Sequence, residues 1–170
     1  SSFKKINETK ISSDKRWKDK MLKSISLSYK KAPYFDSFYP TVKAVIETEY
    51  EFIGDLAKKS ITATINYIKM ESSFVTSEVF ANGNLNGKER VIDICKKEKT
   101  DDYINAIGGM ELYHKDEFKL NKIELSFLKP HLEHYIQFGT EFQSGLSIID
   151  VAMFNSPERL KTMVGNFSLV

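Results

Sequence analysis

The chain has 170 residues, of which 41% are apolar and 28% charged, and its mean hydropathy is −0.35. This composition is typical of a globular domain with a buried core, and no apolar run approaches the roughly 18 residues that a membrane-spanning helix needs. The basic N-terminus lacks the apolar stretch of a signal peptide. We therefore expect a single domain over residues 1–170 and a cytoplasmic location.

The net charge of +2 is distributed unevenly along the chain. Residues 1–31 contain ten Lys and Arg against three acids, a net of +7, which leaves a net of −5 for the remainder. A basic segment on an acidic body either binds an anionic partner or is a solvated helix face.

A single cysteine, Cys95, excludes an internal disulfide framework and fits a reducing compartment. Because Cys95 lies on the apolar side of a predicted helix with Val91 and Ile92, we expect a buried structural thiol rather than a reactive one.

The first third of the chain predicts three helices. Apolar side chains recur every four residues over 17–29 and predict a helix that ends at Pro33. Pro40 predicts the first turn of a second helix, and Thr48 with Glu51 has the spacing of a capping box at the start of a third.

Three later segments have the β-branched and aromatic pattern of strands: Thr64–Met70, Tyr103–Ala106 and Ile123–Leu128. The runs Lys88–Lys97 and Met110–Phe118 between them are helix-like. Alternating strands and helices build a parallel sheet. We therefore predict an α/β fold, with a Rossmann-like parallel sheet and flanking helices preceded by a helical segment; α+β is the alternative.

Small or polar residues follow each predicted strand, where ligands bind in parallel sheets. Ser72 and Ser73 either bind a phosphate or carboxylate or cap the next turn. Gly108 and Gly109 either let the backbone approach a ligand or form a tight turn. We expect these positions to gather with the Pro130 loop on one rim of the sheet.

Ser147 and Ser156 predict the starts of two final helices. Asp150, in the first turn of the earlier one, is either catalytic or interacts favourably with the helix dipole. His131 and His134 would share one face of a helix, but no third ligand is evident, so we predict no metal site.

Aromatic residues around Pro33 either stack on a base or sugar or form a corner of the core. They are Tyr29, Tyr34, Phe35, Phe38 and Tyr39.

Several segments, taken in order, resemble the WbqC-like family over nearly the whole chain. They are the run 17–35 (WKDKMLKSISLSYKKAPYF), the block 103–113 with its glycine pair, Tyr135-Ile-Gln137, the LSIID of 146–150, and Phe154-Asn155. Members of that family are encoded among bacterial O-antigen and other surface-polysaccharide genes. The resemblance also implies an additional N-terminal segment ahead of Ser1.

The activity that the resemblance implies is transfer of an amino acid, glycine, onto an amino sugar or sugar acid in surface-polysaccharide biosynthesis. Adenylation of a carboxylate by ATP with Mg²⁺, followed by amine attack, is compatible with it, although the sequence identifies no cofactor. The expected substrates are small molecules: an amino acid and a nucleotide-linked or lipid-linked sugar.

In that mechanism Asp150 and Gln137 are the candidate catalytic residues. The candidate substrate-binding residues are Lys18, Lys20, Lys30, Lys31, Ser72, Ser73, Tyr103, Gly108, Gly109, Tyr113 and Tyr135. The main alternative is a non-catalytic module that docks an anionic partner through the basic N-terminal helix. Binding of nucleic acid by the same helix, with Tyr34 and Phe35 stacking, ranks behind both.

Overall fold

The computed structural model describes residues 4–170, and the chain divides into two compact units. Unit 1 contains the described residues up to Ser72 together with Leu132–Gly165. Unit 2 contains Ser73–His131 and Asn166–Val170. None of the helices in the described part of the chain is both long and apolar enough to cross a membrane.

Seven α-helices and three strands form the described chain, in the order α1 (Arg16–Tyr29), α2 (Phe35–Glu47), α3 (Ile53–Tyr67), α4 (Gly87–Glu98), β1 (Asp102–Ala106), α5 (Lys115–Lys119), β2 (Glu124–Pro130), α6 (Ile148–Phe154), α7 (Pro157–Val164) and β3 (Phe167–Leu169). Single turns of 3₁₀-helix lie at Ile6–Glu8, Ser77–Phe80 and Ile107–Glu111. Helices with a small mixed sheet that contains a parallel pair confirm the predicted class, α/β with α+β as the alternative.

Unit 1 is built around one apolar stripe of α2. Phe38, Val42 and Ile46 recur every four residues and are buried, as the core-facing side of an amphipathic helix requires. Met153 of α6 and Leu160 of α7 complete this core and are fully buried.

The helix starts predicted at Ser147 and Ser156, both in unit 1, are confirmed. The Ser147 hydroxyl accepts from the Ile149 N–H, and the Ser156 hydroxyl accepts from the Arg159 N–H. Each serine therefore satisfies an N–H group that the first helical turn leaves without a partner.

The strand predicted at Thr64–Met70 is wrong, because α3 runs through Tyr67. The β-branched residues there favour a strand, but tertiary packing overrides this weak preference. Ile68 is buried against the α2 core, and the Thr64 hydroxyl donates to the Ser60 carbonyl within the helix.

The starts predicted for the second and third helices are also wrong. Helix α2 begins at Phe35, five residues before Pro40. Proline lacks the N–H that would donate to the Asp36 carbonyl, but Asp36 is exposed, so water can supply that hydrogen bond instead. Thr48 ends α2 instead of opening α3, because its hydroxyl donates to the Ala44 carbonyl at 2.7 Å. Helix α3 begins later, at Ile53.

Unit 2 contains the sheet, in the strand order β1-β2-β3. Strands β1 and β2 are parallel, with Tyr103 opposite Leu125, whereas β3 pairs antiparallel with the end of β2. The predicted strands at Tyr103–Ala106 and Ile123–Leu128 are confirmed, and so is the helix at Lys88–Lys97. The helix predicted over Met110–Phe118 divides into a 3₁₀ turn and α5.

One face of this sheet packs on α4 and α5. Phe118, Leu125 and Phe127 are buried there together with Cys95. Burial raises the pKa of the Cys95 thiol, so the predicted structural role of this residue is confirmed.

Candidate functional site

Two of the predicted site residues, Tyr135 and Gln137, converge in unit 1 on the carboxylate of a third, Asp150. Tyr135 donates its hydroxyl to Asp150 Oδ1 at 2.6 Å, and Gln137 Nε2 donates to the same oxygen at 3.0 Å. A further donor, the Tyr29 hydroxyl from the last turn of α1, reaches Oδ2 at 3.0 Å. We call Asp150, Tyr29, Tyr135 and Gln137 the carboxylate centre.

Asp150 occupies the first turn of α6, and only 5% of it is exposed. The N-terminal end of a helix favours a negative charge, so the dipole interpretation holds in part. The three donors nevertheless show that the carboxylate also organises residues distant in the chain. A buried carboxylate that several donors hold in one orientation can accept a hydrogen bond from a further N–H or cationic group.

The loop that contains Gln143 holds Gln137 in place. Its Oε1 accepts from the Gln143 N–H at 2.8 Å, and its Nε2 lies 3.0 Å from the Gln143 carbonyl and 2.8 Å from the Tyr135 hydroxyl. The oxygen and nitrogen ends of the side-chain amide are thereby distinguished. Gln137 presents donors, and only donors, to the centre.

Burial raises the pKa of Tyr29 to about 12, and the hydrogen bond to Asp150 and its negative charge act in the same direction. The pKa of Tyr135 is raised to about 12 for the same reasons, against a smaller opposing contribution from Gln137. Both hydroxyls are therefore protonated donors at neutral pH.

Aromatic side chains form one wall of the centre. Phe154 packs edge-on against Tyr29 with ring centroids 6.2 Å apart, and Phe142 packs edge-on against Tyr135 at 5.2 Å. Apolar rings exclude water from hydrogen bonds beside them, which strengthens those bonds.

Alkaline pH should destabilise the protein through these two tyrosines. Unfolded tyrosine ionises near pH 10, whereas Tyr29 and Tyr135 keep their protons up to about pH 12 in the folded state. The folded state then binds more protons, so the free energy of unfolding falls as pH rises from about 10 to about 12. Urea unfolding across that range should show a shallower decline in Tyr29→Phe and in Tyr135→Phe; slopes identical to wild type would contradict the assignment.

The predicted lysines occupy two kinds of environment. Lys18 is buried, and its Nζ donates to the carbonyls of Glu47 and Thr48 at the end of α2 and to Glu49 Oε1. A cation there satisfies the free carbonyls of the helix end. Lys20, Lys30 and Lys31 are exposed.

In unit 2 the predicted residues Tyr103 and Tyr113 lie together around Phe118. Tyr103 stacks on Phe118 with centroids 5.6 Å apart, and Tyr113 meets Phe118 edge-on at 5.9 Å. Burial raises the pKa of Tyr103. The predicted rim of three aligned strands is wrong, because Ser72 of unit 1 and Ser73 of unit 2 follow helix α3, not a strand, in exposed loop.

Gly108 and Gly109 follow β1 in the 3₁₀ turn, and only Gly109 is buried. A Cβ on Gly109 would lie 2.8 Å from Asn105 Nδ2, whereas one on Gly108 would meet nothing within 4 Å. Gly109 is therefore required by its close packing against Asn105 of the same unit.

This contrast predicts unequal effects of alanine at the two glycines. Gly109→Ala must displace the Asn105 side chain, whose Oδ1 accepts from the Ala106 N–H, and should cost about 1–3 kcal/mol of unfolding free energy. The matched Gly108→Ala variant should stay within about 0.5 kcal/mol of wild type. Denaturant unfolding measures both, and equal losses would disprove the packing account.

The HLEH segment is not helical. His134 packs against the Phe142 ring at 4.2 Å, and Glu133 pairs with Arg159. Within residues 4–170, no cluster of three or more His, Cys, Asp or Glu residues has the geometry to hold a metal ion.

Tyr29 is the member of the carboxylate centre that the sequence placed only in the aromatic cluster around Pro33, not among the catalytic or substrate-binding candidates. Its place in the four-residue stripe of α1 predicts a core residue, which accounts for its ring but not for its hydroxyl. A half-buried tyrosine needs a hydrogen-bond partner. The sequence could therefore have predicted that the Tyr29 hydroxyl has a partner, but it could not have identified that partner as Asp150.

The fold and the centre define a class: a mixed α/β protein in which a buried aspartate at a helix start is bound by two tyrosines and a glutamine. The chain matches the model of the WbqC-like protein family over residues 1–162 of 170, and it belongs to that family. No curated protein and no solved structure gives a significant match.

Proposed function

We propose that this protein is a transferase that forms an amide bond between an amino acid, glycine, and an amino sugar or sugar acid of a bacterial surface polysaccharide. The family membership supports the pathway through the resemblance described above. The carboxylate centre supports the chemistry. The nitrogen comes either from glycine, when the acceptor is a sugar acid, or from an amino sugar. In both cases an amine attacks an activated carbonyl, so a single group that accepts the amine proton is sufficient.

One observation carries this proposal: the carboxylate of Asp150 is nearly, but not fully, saturated. A carboxylate offers about four acceptor positions, two on each oxygen. Oδ1 accepts from both Tyr135 and Gln137, whereas Oδ2 accepts from Tyr29. The remaining position, on Oδ2, is suited to the N–H of an incoming amine.

The derived step is a single acyl transfer. The amine nitrogen forms a bond to the carbonyl carbon, the bond from that carbon to the leaving oxygen breaks, and the leaving group departs with the electron pair. Asp150 takes the proton that the nitrogen loses. Tyr29, Tyr135 and Gln137 orient the carboxylate and stabilise it by hydrogen bonds, which is the positioning that general-base catalysis requires.

The carbonyl must arrive activated. Lys18, which we expected to bind the phosphates of ATP, donates instead to two backbone carbonyls and Glu49. The described residues do not fit a nucleotide site built on Lys18, and the step above therefore begins with an acyl donor that is already activated.

Isothermal titration calorimetry tests the proposal with glycine, with glucosamine as an amino-sugar probe, and with ATP–Mg²⁺. We expect heat with at least one of the two amines, and loss of that heat in Asp150→Asn. Absence of heat with both amines in wild-type protein would overturn the proposal, whether or not ATP–Mg²⁺ gives heat.

The exposed lysines favour a second candidate, a module that docks an anionic partner. Lys20 lies on α1, and Lys30 and Lys31 follow directly after that helix, all three exposed. Binding to heparin as a polyanionic probe should then weaken steeply with salt and be unaffected by Asp150→Asn.

A further inference from the structure

The helices of unit 1 surround an apolar cavity of about 590 Å³. Phe38, Val42 and Ile68 form its buried floor. Met21, Ile61 and Val164 line it near solvent and are 47%, 51% and 45% exposed. Its volume lies in the range of small-molecule sites, roughly 300–1,000 Å³.

Helix α3 contributes the longest part of the lining and is itself incompletely covered. None of its residues is buried, although it packs alongside α2. Apolar surface that faces open space gains free energy when it is covered. The inner face of α3 thus lacks the contacts that an occupant of the cavity would supply.

Of the four hydroxyl side chains in the lining, Ser60, Thr64 and Ser147 already bond to the backbone, which leaves only Thr41. Thr64 donates to the Ser60 carbonyl at 2.9 Å and Ser60 to the Ala57 carbonyl at 2.7 Å, while Ser147 caps α6. A sugar or phosphate inside the cavity would lose its hydrogen bonds to water and gain few in return. Hydrocarbon is the ligand chemistry that fits.

The cavity and the carboxylate centre share the first turn of α6. Ser147 and Ile149 line the cavity, and the next residue, Asp150, is the acceptor of the centre. One turn of helix rises only about 5.4 Å. Asp150 itself does not line the cavity, so the polar head of a molecule whose apolar tail lies there must extend past this turn to meet Asp150.

We propose that this cavity binds the hydrocarbon chain of an amphiphilic substrate whose polar head reaches Asp150. The part played by the head rests on the function proposed above, whereas binding of the chain is independent of turnover. The chain itself is either a straight alkyl chain or an isoprenoid, since both present only apolar surface.

The protein contains its own reporter for this site, because Trp17 is the single tryptophan and lines the cavity. 12-Bromododecanol, which has an uncharged head, should quench Trp17 fluorescence saturably when it is titrated into the full chain below the concentration at which it forms micelles. Octanol, decanol and dodecanol should displace it with affinities that rise about fourfold for each added methylene, equivalent to about 0.8 kcal/mol.

Two alanines of α3 provide a matched pair of variants. Ala63 lines the cavity, whereas Ala57 is exposed and does not. Ala63→Phe should fill the cavity and weaken quenching at least tenfold, and Ala57→Phe should leave it unchanged. Circular dichroism and thermal melting confirm that both variants fold.

Farnesol and dodecanol distinguish the two kinds of chain, and preferential displacement by either supports the proposal. Affinity that does not depend on chain length, or equal quenching in the two phenylalanine variants, would overturn it. A wild-type protein that dimerises and shows no quenching would also overturn it, because a second copy would then cover the cavity. Tail binding that survives in Asp150→Asn while transfer is lost separates this inference from the proposed function.

Discussion

Asp150→Asn should reduce the rate of amide transfer by about 10²–10⁴-fold, the contribution typical of a positioned general base. Asparagine has the same shape but cannot take a proton from the amine, and its NH₂ group opposes the donors that now converge on Asp150. The loss should appear in kcat, measured with an activated ester of labelled glycine and an amino-sugar acceptor. The pKa values of Tyr29 and Tyr135 should fall from about 12, because burial remains but the charge is gone.

Asp55→Asn is the matched control for this substitution. Asp55 also lies in the first turn of a helix, α3, but it is exposed. Asp55→Asn removes a negative charge from the start of a helix but leaves the carboxylate centre unchanged. Equal activity losses in the two variants, or full activity in Asp150→Asn, would remove Asp150 from the mechanism.

Phe118→Ala should lower the free energy of unfolding by about 3–5 kcal/mol, because the cavity it leaves cannot be filled by its neighbours. Phe118 is fully buried and contacts both Tyr103 and Tyr113. It therefore supports one face of the sheet and two predicted substrate-binding residues. Chemical denaturation followed by circular dichroism measures the loss.

Phe74→Ala makes the same chemical change in unit 2 at a residue that is 40% exposed. Its loss should be much smaller, since water already reaches much of the ring. Similar losses at the two positions would show that the packing around Phe118 does not stabilise unit 2 as described.

Several elements of the fold were predicted correctly because residues close together in the sequence determine them. The caps at Ser147 and Ser156, and the strands beginning near Tyr103 and Ile123, depend on neighbouring residues and are confirmed. The end of α3 depends on burial of Ile68 against α2, a contact between distant residues that no local pattern contains. The short strand β3 likewise exists only through its pairing with β2.

The same limit applies to the carboxylate centre. The chain segments that hold Tyr135, Gln137 and Asp150 stood out by their resemblance to a family, and the structure brings these three residues to one carboxylate. Tyr29 lies 121 residues from Asp150 in the chain, and its contribution requires the packing of α1 against α6. The acceptor position left on Oδ2 is a feature of geometry that sequence cannot predict.

The most direct test of the account is whether an amine binds beside Asp150. In protein labelled with ¹³C at the tyrosine Cζ atoms, the signals of Tyr29 and Tyr135 can be assigned with their phenylalanine variants and followed while glycine or glucosamine is added. We predict saturable shifts of these two signals, among the eight tyrosines of the chain, and their loss in Asp150→Asn. Shifts confined to other tyrosines, or no shifts at all with either amine, would contradict the account.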